Sequence, residues 1–289
     1  MTGSTGFIGR HVTAFLIGRG DDVCAVQHPR SQRGAPPGAT VVRAPLEASA
    51  LAEAFRGVDV VVHLAGVVST VREREFFDVN VEGTRGVAAA TRAAGARLIH
   101  ISSLAAAGPA SPSAPRSEDD TPAPIDAYGR SKLEGERVVV DTPDLRWTIL
   151  RPGVVYGPGD RALLPLFRLA ALGVMPLVGR ATAAYTFVHV RDLVRTIAAA
   201  IDHDLARDTI FVGHPRPVTT RDLLAEVRAA ARTGAVMVRV PLALARLAAI
   251  AGDVGGKMLG RPLTINSRRY TELAAEGFVC RVDRLRDKL

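Results

Sequence analysis

Five short β-branched apolar runs, separated by helix-length stretches, leave the first half of this chain few folds to choose from. Val23–Val26, Val41–Val42, Val58–Leu64, Leu98–Ser102 and Trp147–Leu150 are the strand-like runs. Runs of this kind form strands buried on both faces. Between them lie the helix-like stretches Ile8–Arg19, Ala50–Phe55, Val79–Ala94 and Ala127–Val140. Alternating strand and helix predict an α/β fold built on a parallel, doubly wound sheet. Gly108–Pro124, rich in Pro, Ser and acidic residues, predicts a long surface loop. Beyond Pro152 the strands are shorter (Phe187–Val190, Ile210–Val212, Val236–Val240). They alternate with helices near Leu163–Leu172, Arg191–Ile201, Thr220–Ala231 and Leu242–Ile250.

A length of 289 residues fits one large domain or a large one with a smaller companion. The charge is +8, from 37 Lys and Arg against 29 Asp and Glu. Only Lys132, Lys257 and Lys288 are lysines, and the arginines are scattered among acids, as in Arg72-Glu73-Arg74-Glu75. The arginine bias reads as that of a GC-rich coding sequence, and no basic run adjoins aromatics, so no nucleic-acid partner is expected and an anionic cofactor is. Val240–Ala251 is broken by Arg246 and falls short of the roughly 20 residues of a membrane span. No export signal is visible. Cys24 and Cys280 have no Cys or His partners at ligand spacing, so neither a disulfide framework nor a metal site is expected. These features predict a soluble, cytoplasmic protein with no membrane partner.

Three motifs carry chemistry. Thr2-Gly3-Ser4-Thr5-Gly6-Phe7-Ile8-Gly9 spaces glycines three apart before a helix. Glycine allows a tight turn, and the helix N-terminus offers free N–H groups to a pyrophosphate. Tyr128 and Lys132, four apart, share a helix face, and a cation beside a phenol favours the phenolate. A solvated helix face explains the same spacing without function. Ser102-Ser103 ends an apolar strand, where open α/β sheets bind ligands. Asn80 opens a helix and reads equally as an N-cap.

Taken in order, these motifs join His63-Leu64-Ala65-Gly66, Asn80-Val81-Glu82-Gly83-Thr84 and Arg151-Pro152-Gly153-Val154-Val155-Tyr156-Gly157-Pro158-Gly159. The set resembles the extended short-chain dehydrogenase/reductase superfamily, the NAD-dependent epimerase/dehydratase group. The resemblance reaches Phe187-Val188-His189-Val190-Arg191-Asp192 and covers nearly the whole chain. It implies a Rossmann-like dinucleotide-binding domain over residues 1–152. Residues 153–289 would form mainly a smaller α/β substrate lobe, some segments returning to the first sheet. It implies catalysis by Tyr128 as proton exchanger, Lys132 as the group lowering its pKa, Ser103 as holder of the substrate oxygen and Asn80 as support. Ser103 is preferred to Ser102 because it lies five residues before Gly108. The implied cofactor contacts are Gly3, Thr5, Gly6, Phe7, Ile8, Gly9, His28, Arg30, Arg33, Leu64, Ala65, Gly66, Tyr128, Lys132, Pro152, Gly153 and Val154. Relatives commonly form homodimers through the helices corresponding to Val79–Ala94 and Ala127–Val140.

The chain departs from the family pattern in four places. Met1 stands directly before Thr2-Gly3, where the family has a strand of apolar residues, so the first strand is expected to be missing and the true start to lie upstream. The C-terminus is also shorter than usual. After the second strand, Gln27-His28-Pro29-Arg30 and Arg33 offer no acid for a ribose hydroxyl but two arginines for a 2′-phosphate, which favours NADP over NAD. Tyr185 stands where sugar-nucleotide enzymes place a phosphate-binding arginine, with Arg180 a shifted substitute. The expected activity is therefore hydride transfer to or from a carbonyl or secondary alcohol of a small, largely apolar substrate. A nucleotide-sugar epimerase or dehydratase is the alternative, and a non-catalytic NAD(P)-binding protein the third reading.

Overall fold

The computed structural model describes residues 1–34, 36–205 and 207–289. After the glycine turn come α1 (Phe7–Arg19), β1 (Cys24–Gln27), β2 (Thr40–Arg43), α2 (Ala48–Leu51) and β3 (Val60–His63). Then follow α3 (Glu73–Phe77), α4 (Thr84–Ala93), β4 (Arg97–Ile101), α5 (Ala127–Val140) and β5 (Arg146–Pro152). The remainder holds β6 (Val154–Tyr156), α6 (Leu164–Ala171), β7 (Val174–Val178), β8 (Ala184–Tyr185), β9 (Phe187–His189), α7 (Val190–Asp202) and β10 (Asp208–Val212). It ends with β11 (Val218–Thr219), α8 (Thr220–Ala231), β12 (Val236–Val240), α9 (Leu242–Leu259), α10 (Ser267–Ala274), β13 (Gly277–Phe278) and α11 (Asp283–Lys288).

The main sheet is parallel. β2 pairs with β1, β3 with β4, β4 with β5, and β5 with β10, a strand contributed from well beyond residue 153. Thr2 joins the two halves through parallel bridges to Val26 and His63. Thr2 N–H donates to Val62 O at 3.0 Å and Val26 N–H to Met1 O at 2.8 Å, which places Met1 and Thr2 at the centre of the sheet. One face carries α1 and α7 over Val12, Leu16, Ile99, Ile101, Leu193 and Ile197. The other packs Leu51, Phe55, Val61, Val87, Leu98 and Val139. The first face is aliphatic, and the second adds the aromatics Phe55 and Trp147; apolar area removed from water is worth roughly 25 cal/mol per Å².

Two readings of the sequence change here. Val41–Val42 belong to an edge strand paired with β1 alone, and Val41 is exposed rather than buried. The helix expected from Val79 starts at Glu73 and passes through a π-helical turn at Asp78–Gly83. Asn80 lies inside that turn and caps nothing. Gly108–Pro124 is a loop whose Arg116 bridges to Cys280.

In the C-terminal part β6 pairs with β9, β7 with β12, and β8 with both β11 and β13. α9 runs nine residues further than the apolar run ending at Ile250.

Candidate active site

Because all the main strands are parallel, their C-terminal ends gather at one edge, and the turns leaving them meet there. The glycine turn reaches that edge first. Gly3 has φ +72°, a conformation glycine adopts without strain, and a Cβ there would stand 2.6 Å from the backbone of Leu64 and Ala65. At Gly9 a Cβ would stand 2.1 Å from Gly3 O, so this glycine lets α1 pack onto its own entry turn. Gly6 differs. Its φ of −73° suits any residue, and a Cβ there would meet only Gly3 O, at 3.2 Å.

Gly6 is also the N-cap of α1, with no side-chain cap and no acid in the first turn, so nothing in the chain opposes an anion at this helix end. Gly6→Ala is therefore expected to fold normally and lose most dinucleotide affinity. Gly9→Ala should lower the melting temperature by itself. Thermal denaturation with and without dinucleotide separates the two outcomes.

Around this turn, Arg10 Nε donates to Thr5 O at 3.2 Å, Phe7 packs edge-on to His11, and Ile8 is partly buried in the core. His28, Arg30 and Arg33 are exposed on the loop after β1. Arg43 holds that loop through Pro29 O and Ser31 O at 3.3 and 3.2 Å. Leu64 N–H donates to Thr2 O, and Ala65 N–H to Thr2 Oγ1 at 3.3 Å. Beyond β5, Gly153 N–H donates to Val212 O and Val154 N–H to Thr186 O, which carries the chain from the main sheet to β6.

The residues fit a dinucleotide by a second criterion. Ser4 Oγ in the glycine turn and Gln27 Nε2 at the end of β1 are buried without a hydrogen-bond partner among the described residues. Buried polar groups are ordinarily paired, so two orphans at this edge are suited to a polar ligand.

Asn80 fastens the loop after β3. Its Oδ1 accepts from Val67 N–H at 2.8 Å, and its Nδ2 donates to Val67 O and to Ser131 Oγ at 3.0 and 2.9 Å. Three contacts from one amide clamp that loop, with Gly66, to α5. The π-helical turn aims the side chain there. Beneath it, His63 accepts from Thr2 Oγ1 at 2.6 Å and donates to Thr84 Oγ1 at 3.0 Å, since Thr84 itself donates to Asn80 O. Burial pushes this imidazole down to about 3, so it stays neutral.

The tandem serines part company. Ser102 Oγ donates to Glu136 Oε1, which leaves it committed to a buried network. Ser103 accepts from Ala105 N–H at 3.2 Å, and it lies near enough to the Tyr128 phenol to oppose the upward push of burial on it. α5 starts at Asp126, whose Oδ1 accepts from Gly129 N–H at 2.7 Å, and this cap sets Tyr128 in the first turn and Lys132 in the second.

Lys132 is buried, and its Nζ donates to Ile101 O at 2.7 Å. The cation against Tyr128 is instead Arg268 of α10, its guanidinium carbon 5.3 Å from the ring centroid. Arg268 is held by Glu272 at 2.8 Å and Asp126 at 3.5 Å. Phe76 of α3 flanks the ring, with centroids 5.9 Å apart. Burial holds Tyr128 above its ordinary range, with Ser103 and Arg268 opposing. No motif in the sequence marked Arg268, Phe76 or Glu136, although Glu136 follows Lys132 by one helical turn.

Desolvation lowers Lys132 from 10.5 to about 8. A lysine depressed in the fold binds fewer protons there than when unfolded, so stability rises with pH between about 8 and 10.5. Lys132→Met is expected to raise the melting temperature at pH 7 and to abolish that rise, an effect of roughly 3 kcal/mol at most. Melting curves of both proteins across this range check it.

The NAD dependent epimerase/dehydratase family model matches residues 1–213. The ceramide reductase of Caulobacter vibrioides is 34% identical over 69% of this chain, which spans 59% of that relative's length. The UDP-glucose 4-epimerase of Vibrio cholerae is 30% identical, over 78% of this chain and 74% of its own. Among solved structures, MoeE5 in complex with UDP-glucose and NAD superposes with a TM-score of 0.73 at 27% identity, covering 83% of each chain.

Proposed function

Since the chain belongs to the NAD dependent epimerase/dehydratase family, we propose that it is an NADP-preferring oxidoreductase acting on a carbonyl or secondary alcohol of a small, largely apolar substrate. The observation that carries this reading is the Ser103–Tyr128 pair under Arg268, at the edge where the glycine turn and the clamped loop after β3 converge. When bound, the nicotinamide dinucleotide supplies or accepts the hydride. Gly6 and the first turn of α1 would hold its pyrophosphate, and Arg30 and Arg33 its 2′-phosphate.

The chain's own residues do the rest. Ser103 Oγ holds the substrate oxygen beside the Tyr128 hydroxyl. Burial keeps that phenol protonated at neutral pH, which suits a general acid that delivers its proton to a carbonyl oxygen as it gains charge. Lys132, tied to Ile101 O, and Asn80, tied to Val67 and Ser131, keep α5 and the loop after β3 in register with that proton. The cleft between the long loop and α10 is lined by Pro109, Ala110, Ile125, Tyr270, Thr271, Ala274, Ala275 and Glu276, a wall that is mostly apolar with one acid at Glu276. Arg180 is on the surface and paired with Glu276 at 2.7 Å, which counts against a nucleotide-sugar diphosphate. A cytoplasmic homodimer joined through α4 and α5 belongs to the same reading.

Thermal-shift titration with NADPH, NADH and UDP-glucose tests it. A ligand that binds only the folded state raises the melting temperature, by roughly 5–10 °C at a hundredfold excess over Kd. NADPH should exceed NADH, and UDP-glucose should have no effect. A shift with UDP-glucose would replace the reading by the nucleotide-sugar alternative that the Vibrio cholerae relative and MoeE5 support. No shift with either dinucleotide would overturn it.

A further inference from the structure

α9 is built inside out. At 100° per residue its packed side is a seam of small residues, Ala249, Gly252 and Gly256. A Cβ at Gly252 would stand 1.9 Å from Ile265 O, so nothing larger than glycine fits there, and one at Gly256 would be tight, 3.1 Å from Arg261 O. The large apolar side chains point the other way. Leu244, Leu247, Ile250, Val254 and Met258 form one stripe about 120° wide by helical spacing, and all are exposed, Leu247 at 64% and Met258 at 83%. A helix that lay against water on this side would reverse the arrangement, because large apolar side chains are favoured away from water.

Charge names the occupant. One edge of the stripe carries Arg246 and Lys257, and the lone acid of the helix, Asp253, is turned to Ser267 N–H at 3.3 Å. The stripe itself presents no hydrogen-bonding side chain. An apolar face bordered by cations is the pattern of a helix lying in the plane of a lipid interface, apolar side chains among the acyl chains and cations at anionic headgroups. Among the described residues no helix is long and apolar enough to cross a membrane, and an interfacial helix does not need to be. β12, which leads directly into α9, leaves Val236 and Val238 exposed as well.

We infer that α9 seats this protein on an anionic phospholipid surface. The contact revises the expectation that no membrane is engaged. It also gives an apolar substrate a route: the packed side of α9 rests near Val71, 3.5 Å from the Gly256 Cβ position, and on α10, which bears Arg268 over Tyr128. That route rests on the reductase reading above. The membrane contact does not.

Co-sedimentation with vesicles tests it, using equal parts phosphatidylcholine and phosphatidylglycerol against phosphatidylcholine alone. The intact protein should sediment with the anionic vesicles. Leu247→Ser with Val254→Ser should cut the bound fraction about tenfold, and Arg246→Glu with Lys257→Glu should erase the preference for anionic lipid. Both side chains in the first variant are exposed, so its melting temperature should match the wild type. Met258→Ser, the most exposed position, serves as a milder second variant with a partial loss.

Absence of sedimentation by the intact protein, or equal binding by the serine variants, overturns the inference. So does an oligomer in light scattering that the serine variants dissolve while vesicles bind neither protein, because α9 would then face a second copy. The readout needs neither dinucleotide nor turnover, so its failure is distinguishable from failure of the thermal-shift test.

Discussion

Tyr128→Phe is expected to lower turnover about a thousandfold, equivalent to roughly 4 kcal/mol of barrier, and to leave the dinucleotide-induced rise in melting temperature unchanged. The substitution removes one oxygen, the phenol's, on the side of Ser103, and keeps the ring between Phe76 and Arg268. Packing and the cation–π contact survive, so a loss of activity reports the lost proton and not a collapsed site. Steady-state kinetics and thermal shift on the same preparation are the measurements. Unchanged turnover would remove Tyr128 from the chemistry and favour the non-catalytic, dinucleotide-binding reading.

The second large effect is on stability. Glu136 is buried on α5 and accepts two hydrogen bonds from Arg151, at 2.9 and 2.6 Å, and a third from Ser102. Glu136→Ala leaves the Arg151 guanidinium buried without its carboxylate. Breaking such a pair costs about 3–5 kcal/mol, which for a chain this size lowers the melting temperature by roughly 10 °C. Replacing both partners with apolar residues of similar volume, as in Glu136→Met with Arg151→Leu, should recover much of the loss, since no charge is then stranded. Differential scanning calorimetry checks both. A single variant as stable as the double would show that the pair contributes nothing to anchoring α5 beneath Lys132.

The alternation of β-branched runs with helical stretches specified the sheet and its parallel order, because hydrophobic period and loop length are local properties of a chain. α5 and α8 begin and end where their composition and spacing placed them, as does β12. The positions of Gly3, Asn80, Ser103, Tyr128 and Lys132 were legible for the same reason: each belongs to a short motif whose spacing survives in one dimension. Their partners were not. That Ser102 is occupied by Glu136, that Lys132 is tied to Ile101 O and that Arg268 covers the Tyr128 ring are contacts across 31 to 140 residues of sequence.

α10 carries no apolar run, and the π-helical turn that aims Asn80 inward has no signature in composition. α9 shows the division most sharply. The sequence by itself determined an apolar helix over Leu242–Ile250, half the length that the structure gives it. Only the tertiary structure decided which side of it is covered, because a glycine–alanine seam at Ala249, Gly252 and Gly256 can approach a neighbouring backbone and the leucine side cannot.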